Sequence, residues 1–334
     1  MKKIIALLLT AVLLTGCLSA CGNTTSAGSF EDDNSIQIVT TIFPEYDWVR
    51  ELLGSKITDA DITLLLDNGV DLHSYQPTAE DILKIAACDL FIYVGGESDE
   101  WVEDALLEAT NKNMVVVNLL DALGDSVKPE EIVEGMESDE HEHEHDNDEH
   151  DHEEEIEYDE HVWLSLKNAQ VLCDVITDAL IHVDPENSET YRQNLKTYQA
   201  ELIQLDEEYQ QAIDSASTQT LLFGDRFPFR YLVDDYQLSY YAAFAGCSAE
   251  TEASFETVSF LSAKVDELKL PCVLTIEGAD HKLAETIIQN TSGKNQKLLT
   301  LDSLQSTTSQ DINEGVTYLT VMENNLNILK EALN

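Results

Sequence analysis

His73, in "DLHSYQPTAED" (71–81), and His161, in "DEHVWLS" (159–165), each stand beside acidic residues just ahead of a stretch patterned as a helix. Asp302, in "LTLDSL" (299–304), closes a run patterned as a strand. Two imidazoles and a carboxylate are donors suited to a divalent transition metal such as zinc or manganese. A different chemistry precedes His161. The run "HEHEHDNDEHDH" (141–152) holds His141, His143, His145, His150 and His152, five of the nine histidines in the chain. It has too much charge and too little apolar content to fold alone. Imidazoles and carboxylates on such a tether bind zinc weakly and several times over, and raise the local metal concentration beside a fixed site. His161 is thus either one more member of this run or a fixed ligand with the run as a separate accessory metal loop.

Strands and helices must position these groups. "IQIVTTIF" (36–43), "ADITLLL" (60–66), "LFIYVG" (90–95) and "MVVVNL" (114–119) are patterned as strands. Helical segments at 44–54, 77–89 and 99–110 lie between them, the first with Pro44 at its start and Gly54 at its end. A second series follows, with strands at 219–224, 238–244, 272–278 and 297–302. Its helices fall at 227–236, 254–269, 280–291 and 309–332. Such alternation predicts an α/β fold of two doubly wound parallel sheets. Between them, residues 184–215 open on Asp184 as N-cap and Pro185, then carry Tyr191, Leu195, Tyr198, Leu202, Leu205, Tyr209 and Ile213 at spacings of three and four. That is one apolar stripe on one long rigid helix joining the lobes.

In open parallel sheets, ligand sites form outside the C-terminal ends of the strands. That rule selects His73 after the second strand, His161 after the fourth, Asp302 after the last, and Gly224 with Asp225 at the end of the first strand of the second lobe. Four strand ends, two from each lobe, are expected to face one cleft.

Composition narrows the partners. The chain has 334 residues, 65 Asp and Glu against 18 Lys and Arg, and a formal net charge of -47. Such a surface repels phosphate and attracts cations, so nucleic acid is excluded as a partner. Residues 130–160 hold 18 of the acids and no Lys or Arg, which leaves 47 acids against 18 bases in the rest. "MKKIIALLLTAVLLTGCLSACG" opens the chain with two lysines and an apolar run too short to span a bilayer, as in a secretory signal. "LTGC" and "LSAC" both resemble the bacterial lipobox. Cys21, followed by the small polar "GNTTSAGS", is preferred to Cys17 as the lipidated residue. The folded part is thus expected outside the cell, lipid-anchored to the outer face of the bacterial membrane. Of the remaining cysteines, Cys88, Cys173 and Cys272 lie in apolar contexts suited to a core, and with Cys247 they form no Cys-x-x-Cys pair.

The stretches "DLHSYQPTAEDILKIAACDLFIYVGGESDEWV" and "DEHVWLS", separated by an acidic His-rich loop, resemble the metal-binding cluster of bacterial ABC-transporter solute-binding lipoproteins for zinc and manganese, the adhesin-like group. The resemblance runs from about Ile36 to the C-terminus. It implies two α/β lobes joined by one long helix, with the metal between the lobes, and His73, His161 and Asp302 as ligands. The family's third ligand, usually His or Glu, falls on Gly224 in "FGDRFPFRY". That leaves Asp225, Glu250, Glu252 or water to fill the position.

The expected organisation is a signal peptide at 1–21, a tether at 22–35, an N-terminal lobe at 36–183 with its acidic loop at 130–160, a linking helix at 184–215 and a C-terminal lobe at 216–334. The expected function is an extracytoplasmic, monomeric receptor that captures zinc, with manganese as the alternative, and delivers it to an ABC-transporter membrane permease. The rival readings are a surface-anchored zinc metallohydrolase and an adhesin retaining the fold. The chain's one His-Glu-x-x-His match, His141 to His145, falls in the acidic run and not in a stretch patterned as a helix, and a tethered bilobal plan suits delivery better than turnover, so no enzyme is expected.

Overall fold

The computed structural model describes residues 35–137, 157–248, 252–278 and 280–334. The signal segment with Cys17 and Cys21, the tether up to residue 34, the five histidines of the run and Glu250 lie outside the described residues.

Helix caps set the starts of the elements in the first lobe. Strand β1 (Ile36–Thr40) leads into α1 (Phe43–Leu53), whose Glu45 folds back so that its carboxylate accepts the Thr41 and Ile42 amides at 2.8 and 3.3 Å. Gly54, at φ +54°, ends that helix in a conformation that disfavours side chains. After β2 (Ala60–Leu64), α2 (Ala79–Ala87) opens on a reciprocal cap: the Thr78 hydroxyl accepts the Asp81 amide, and the Asp81 carboxylate accepts the Thr78 amide. Next come β3 (Leu90–Tyr93), α3 (Trp101–Leu107), β4 (Val115–Asn118), α4 (Leu119–Leu123) and α5 (Leu166–Val183). The sheet is wholly parallel in the order β2-β1-β3-β4. Leu90, Phe91 and Ile92 of β3 are all buried, as a continuous apolar run requires when helices cover both faces.

One helix, α6 (Ser188–Asp214), then joins the sheets. At 27 residues it is about 40 Å long. Tyr191, Tyr198, Leu202, Leu205, Tyr209 and Ile213 are its buried stripe. Asp184 does not cap it. Pro185–Asn187 form a separate 3-10 turn, and the Asp184 carboxylate accepts the Tyr191 hydroxyl at 2.5 Å and the Asn187 side-chain amide at 2.6 Å. The acid reaches past the first turn instead of closing it.

The second lobe contains β5 (Thr220–Phe227), α7 (Arg230–Asp235), β6 (Ser239–Ala245), α8 (Phe255–Leu268), β7 (Cys272–Ile276), α9 (Lys282–Asn290) and β8 (Lys297–Leu301). It ends with α10 (Ser309–Asn313) and α11 (Tyr318–Ala332). The single closing helix expected at 309–332 is divided because Gly315 takes φ +97° and Thr317 caps a new start. The sheet is again parallel, in the order β6-β5-β7-β8. Strand alternation sorts its side chains. Leu222, Ala243 and Val273 pack with Leu261, Val265 and Ile287 of α8 and α9, whereas Leu221, Phe223 and Leu274 join the large core shared with α6 and α11. The fold is α/β, two doubly wound parallel sheets linked by one long helix.

Candidate metal centre

His73 lies in the connection that leaves β2. The Asp71 carboxylate accepts the His73 amide at 3.0 Å and starts a single 3-10 turn, Leu72–Ser74. Its other oxygen receives Arg226 Nη2 from the opposite lobe at 2.6 Å. His161 follows the acidic loop, whose base is pinned: Pro129 and Tyr158 form an antiparallel bridge, and the Asp159 amide donates to the Lys128 carbonyl at 2.9 Å. Asp159 Oδ1 then accepts both the backbone amide of His161, at 2.9 Å, and its ring Nδ1, at 3.1 Å. A 3-10 turn, Val162–Leu164, and the Ser165 cap carry the chain into α5. His161 is fully buried.

These two turns bring the imidazoles together. His73 Nε2 is 3.2 Å from His161 Nε2. Behind the pair, His73 Nδ1 lies 2.8 Å from Ser98 Oγ and 3.4 Å from Glu160 Oε2. Each ring thus has an acceptor at Nδ1 and turns Nε2 toward the other ring. An acceptor behind the ring fixes the tautomer that presents Nε2 as a lone pair. Two nitrogens on one tetrahedral zinc, each at about 2.0–2.1 Å, are about 3.3 Å apart. The observed separation is close to that span. Glu160 is itself held: its Oε1 accepts the Ser98 amide at 2.9 Å, while Oε2 is buried with no hydrogen-bond partner. Gly96, at φ +82°, makes room for this carboxylate, since a Cβ there would come within 2.4 Å of Oε1.

The electrostatics set the two rings apart. Burial, and after it His161, push His73 down to about 3, so this ring is neutral and ready to donate electrons. Burial works against charge on His161 as well, but Asp159 and its hydrogen bond hold that ring above its ordinary value. Burial opposes ionisation of Asp71, yet Arg226 keeps its carboxyl below the usual range. Burial raises Glu160. A divalent ion at the paired nitrogens would have Asp159 and Glu160 behind the two rings.

A third group joins the imidazoles, and sequence reading missed it. Ligand atoms of His73, His161 and Cys247 all lie within 4.8 Å of one another. Cys247 stands just past the end of β6, and its amide donates to Glu130 Oε1 at 3.0 Å. His73 and Cys247 both face a cavity of about 250 Å³, also lined by Glu97, Ser98, Glu130 and Glu160. The preceding Gly246 lets the backbone approach the His161 ring, for a Cβ there would sit 3.1 Å from His161 Cε1 and 2.9 Å from the Phe227 carbonyl. The strand-end rule that selected His73 could have selected Cys247 too. A search of the cysteines for paired spacing alone passed over it.

The acids expected from the second lobe are placed differently. β5 continues through Gly224 and Asp225 to Phe227, with a register shift between Phe223 and Arg226 where it pairs with β6. These residues therefore occupy an irregular stretch inside the strand rather than its end. Asp225 accepts the Arg226 amide at 2.9 Å and the Ile276 amide of β7 at 3.3 Å, so its carboxylate stitches the irregularity to the neighbouring strand. Gly224 faces α9, where a Cβ would come within 2.6 Å of Ala284 Cα, so it leaves no opening in the cleft. Asp302 does follow β8, but its Oδ1 accepts the Leu304 amide at 2.8 Å. Burial, with Glu277 adding to it, pushes this carboxyl up to about 7. Neither acid joins the two imidazoles within the 4.8 Å group, nor does the exposed Glu252. The cleft contact from β5 is instead Arg226, through its pair with Asp71.

Comparison with known proteins gives one consistent picture. The family model described as the periplasmic zinc-uptake complex component A matches residues 38–332. The high-affinity zinc uptake system protein ZnuA of Bacillus subtilis (strain 168) is 32% identical over 317 residues, covering 95% of this chain and 93% of that protein. The zinc-binding lipoprotein AdcA of Streptococcus pneumoniae (strain ATCC BAA-255 / R6) is 32% identical over 332 residues; the alignment takes in 99% of this chain but only 61% of that longer protein. Among solved structures, the Zn(II)-bound ZnuA-like domain of Streptococcus pneumoniae AdcA is similar with a TM-score of 0.67 and 28% identity, covering 90% of this chain and 99% of that one.

Proposed function

The chain belongs to the periplasmic zinc-uptake component A family, and on that premise we propose that it is the extracytoplasmic receptor that captures zinc and hands it to an ABC-type importer. The observation that carries this reading is the facing pair of Nε2 atoms at 3.2 Å, each ring fixed from behind by an acceptor. His73 and His161 are the donors we assign to the ion. Zinc is favoured over manganese because imidazole suits zinc better.

Capture follows from the chemistry of the surroundings. A net charge of -47 draws cations to the surface. Glu97, Glu130 and Glu160 line the cavity beside His73, where carboxylates attract an incoming hydrated ion. The imidazoles then replace water in its shell. The histidine run joins Glu137 to Glu157, and we assign to it weak collection of zinc near this mouth. Lipid anchoring at Cys21, a monomeric state and release to a membrane permease complete the reading. Such a receptor needs no turnover, and no catalytic role is assigned to any residue.

The test is metal analysis of protein purified without added metal, followed by competition titration with zinc and manganese. One tight zinc equivalent that manganese does not displace at equal concentration supports the reading. Binding of neither metal more tightly than a denatured chain of the same composition would overturn it.

A further inference from the structure

The geometry assigns to Cys247 the third donor of the centre: we propose that its thiolate binds the ion together with His73 and His161, so that this chain holds zinc in a two-nitrogen, one-sulfur set. The proposal rests on the metal-receptor reading above and refines it. It states which atom the second lobe contributes.

Position is the first argument. Cys247 Sγ lies with the two ring nitrogens in a group spanning no more than 4.8 Å, and the cysteine lines the same cavity as His73. The residue is pinned there, because its amide is bound by Glu130 of the segment leading into the acidic loop, and Gly246 brings its backbone against the His161 ring. Glu160, 2% exposed and on the same cavity wall, has one oxygen without a hydrogen-bond partner beside His73 Nδ1. A ring that binds metal through Nε2 would direct its Nδ1 proton to Ser98 or to that oxygen.

The two acids expected from the second lobe stand outside the group formed by the imidazoles. Asp225 and Asp302 each accept backbone amides, and Arg226 of β5, a cation, pairs with Asp71, two residues before His73. Among the described residues, Cys247 is the second-lobe donor grouped with the two imidazoles, and it is a free thiol. On binding, the thiol loses its proton to solvent and the metal–sulfur bond replaces the S–H bond. Two neutral imidazoles and one thiolate leave a zinc complex with a single positive charge, which Asp159 and Glu160 can balance. A soft thiolate also sharpens selection, since it favours zinc and cobalt and disfavours manganese.

Cobalt(II) added as one equivalent to the full chain tests this. Wild type is expected to show a near-ultraviolet sulfur-to-cobalt charge-transfer band. Cys247→Ser should lose that band, keep weaker cobalt binding through the imidazoles and bind zinc roughly 100-fold less tightly, the upper end for loss of even an outer-shell partner. Asp302→Asn should keep both band and affinity. Cobalt bound with no such band in wild type, or a band and zinc affinity unchanged in Cys247→Ser, would overturn the thiolate assignment while leaving the receptor reading intact. Failure of wild type to bind either metal tightly would instead remove the reading beneath it.

Discussion

In the N-terminal lobe, His73 and His161 are each held from behind, by Ser98 and by Asp159, so that their Nε2 atoms meet at 3.2 Å. In the C-terminal lobe, the carboxylates of Asp225 and Asp302 accept backbone amides, and neither belongs to the group of ligand atoms around that pair. One lobe presents two imidazoles with facing nitrogens, and the other presents acids bound to backbone amides, with Cys247 as the thiol near the pair. The difference shows that a residue's type and its place near a strand end do not by themselves bring it to the imidazole pair. What its remaining atoms are bound to decides the matter. Imidazole has two nitrogens, and the structure fixes one to free the other.

The contrast can be broken or sharpened from several sides. The largest effect is expected from the acids buried under the first lobe. Glu45 is fully buried, and burial, with Asp99 adding to it, pushes its carboxyl up to about 8. In the unfolded chain this group loses its proton near pH 4.3, so between that pH and about 8 the folded state holds more protons than the unfolded one. Stability from this group is therefore full at low pH and falls as pH rises, by about 1.4 kcal/mol per pH unit. Glu45→Gln removes the dependence. Melting of metal-free protein should show the variant gaining on wild type from pH 5 to pH 8, whereas an equal gap at both would mean that Glu45 is ionised in the fold.

Gly224→His comes next. If Gly224 marked a gap in the cleft, the added imidazole would tighten zinc binding. Because its Cβ would meet Ala284 Cα at 2.6 Å, the expected result is a loss of about 1–3 kcal/mol in stability with no gain in zinc affinity. Tighter binding without destabilisation would show that this position does face the ion.

A smaller effect is expected at Gly246→Ala, where the new methyl would press on the His161 ring and on the Phe227 carbonyl. Zinc affinity should fall by roughly tenfold, the scale on which displaced ligand supports act. Calorimetry giving wild-type affinity would mean that the ring does not depend on this contact. The smallest effect is expected at Asp302→Asn, less than about threefold in zinc affinity, because the amide oxygen can still accept from Leu304 and the carboxylate is not a donor in this arrangement. A loss as large as that for an imidazole variant would place Asp302 in the coordination shell and reverse the contrast between the lobes.

Much of this was legible in the residues. The eight strands follow apolar runs, and the stripe from Tyr191 to Ile213 marks the connecting helix. His73 and His161 could be read because each precedes a helix and follows a strand, which locates a backbone position without any knowledge of side-chain partners. What could not be read depended on those partners. The irregularity at Phe223 to Arg226 moves Asp225 from a strand end into the strand, and no local pattern announces it. The role of Asp302 rests on one bond to the Leu304 amide. Cys247 comes into reach only because Gly246 permits close approach to a ring 85 positions earlier in the chain. Such long-range juxtapositions leave no periodic trace.

The central claim is that one tight zinc site is made by His73 and His161, apart from the histidine run. Its most direct measurement is a competition titration of zinc against a chelator of known affinity, run side by side on wild type, His73→Ala and His161→Ala, all carrying the same run. The expected result is one tight equivalent in wild type that disappears in both variants, while the weak equivalents of the run remain in all three. A tight equivalent that survives in both variants would contradict the account.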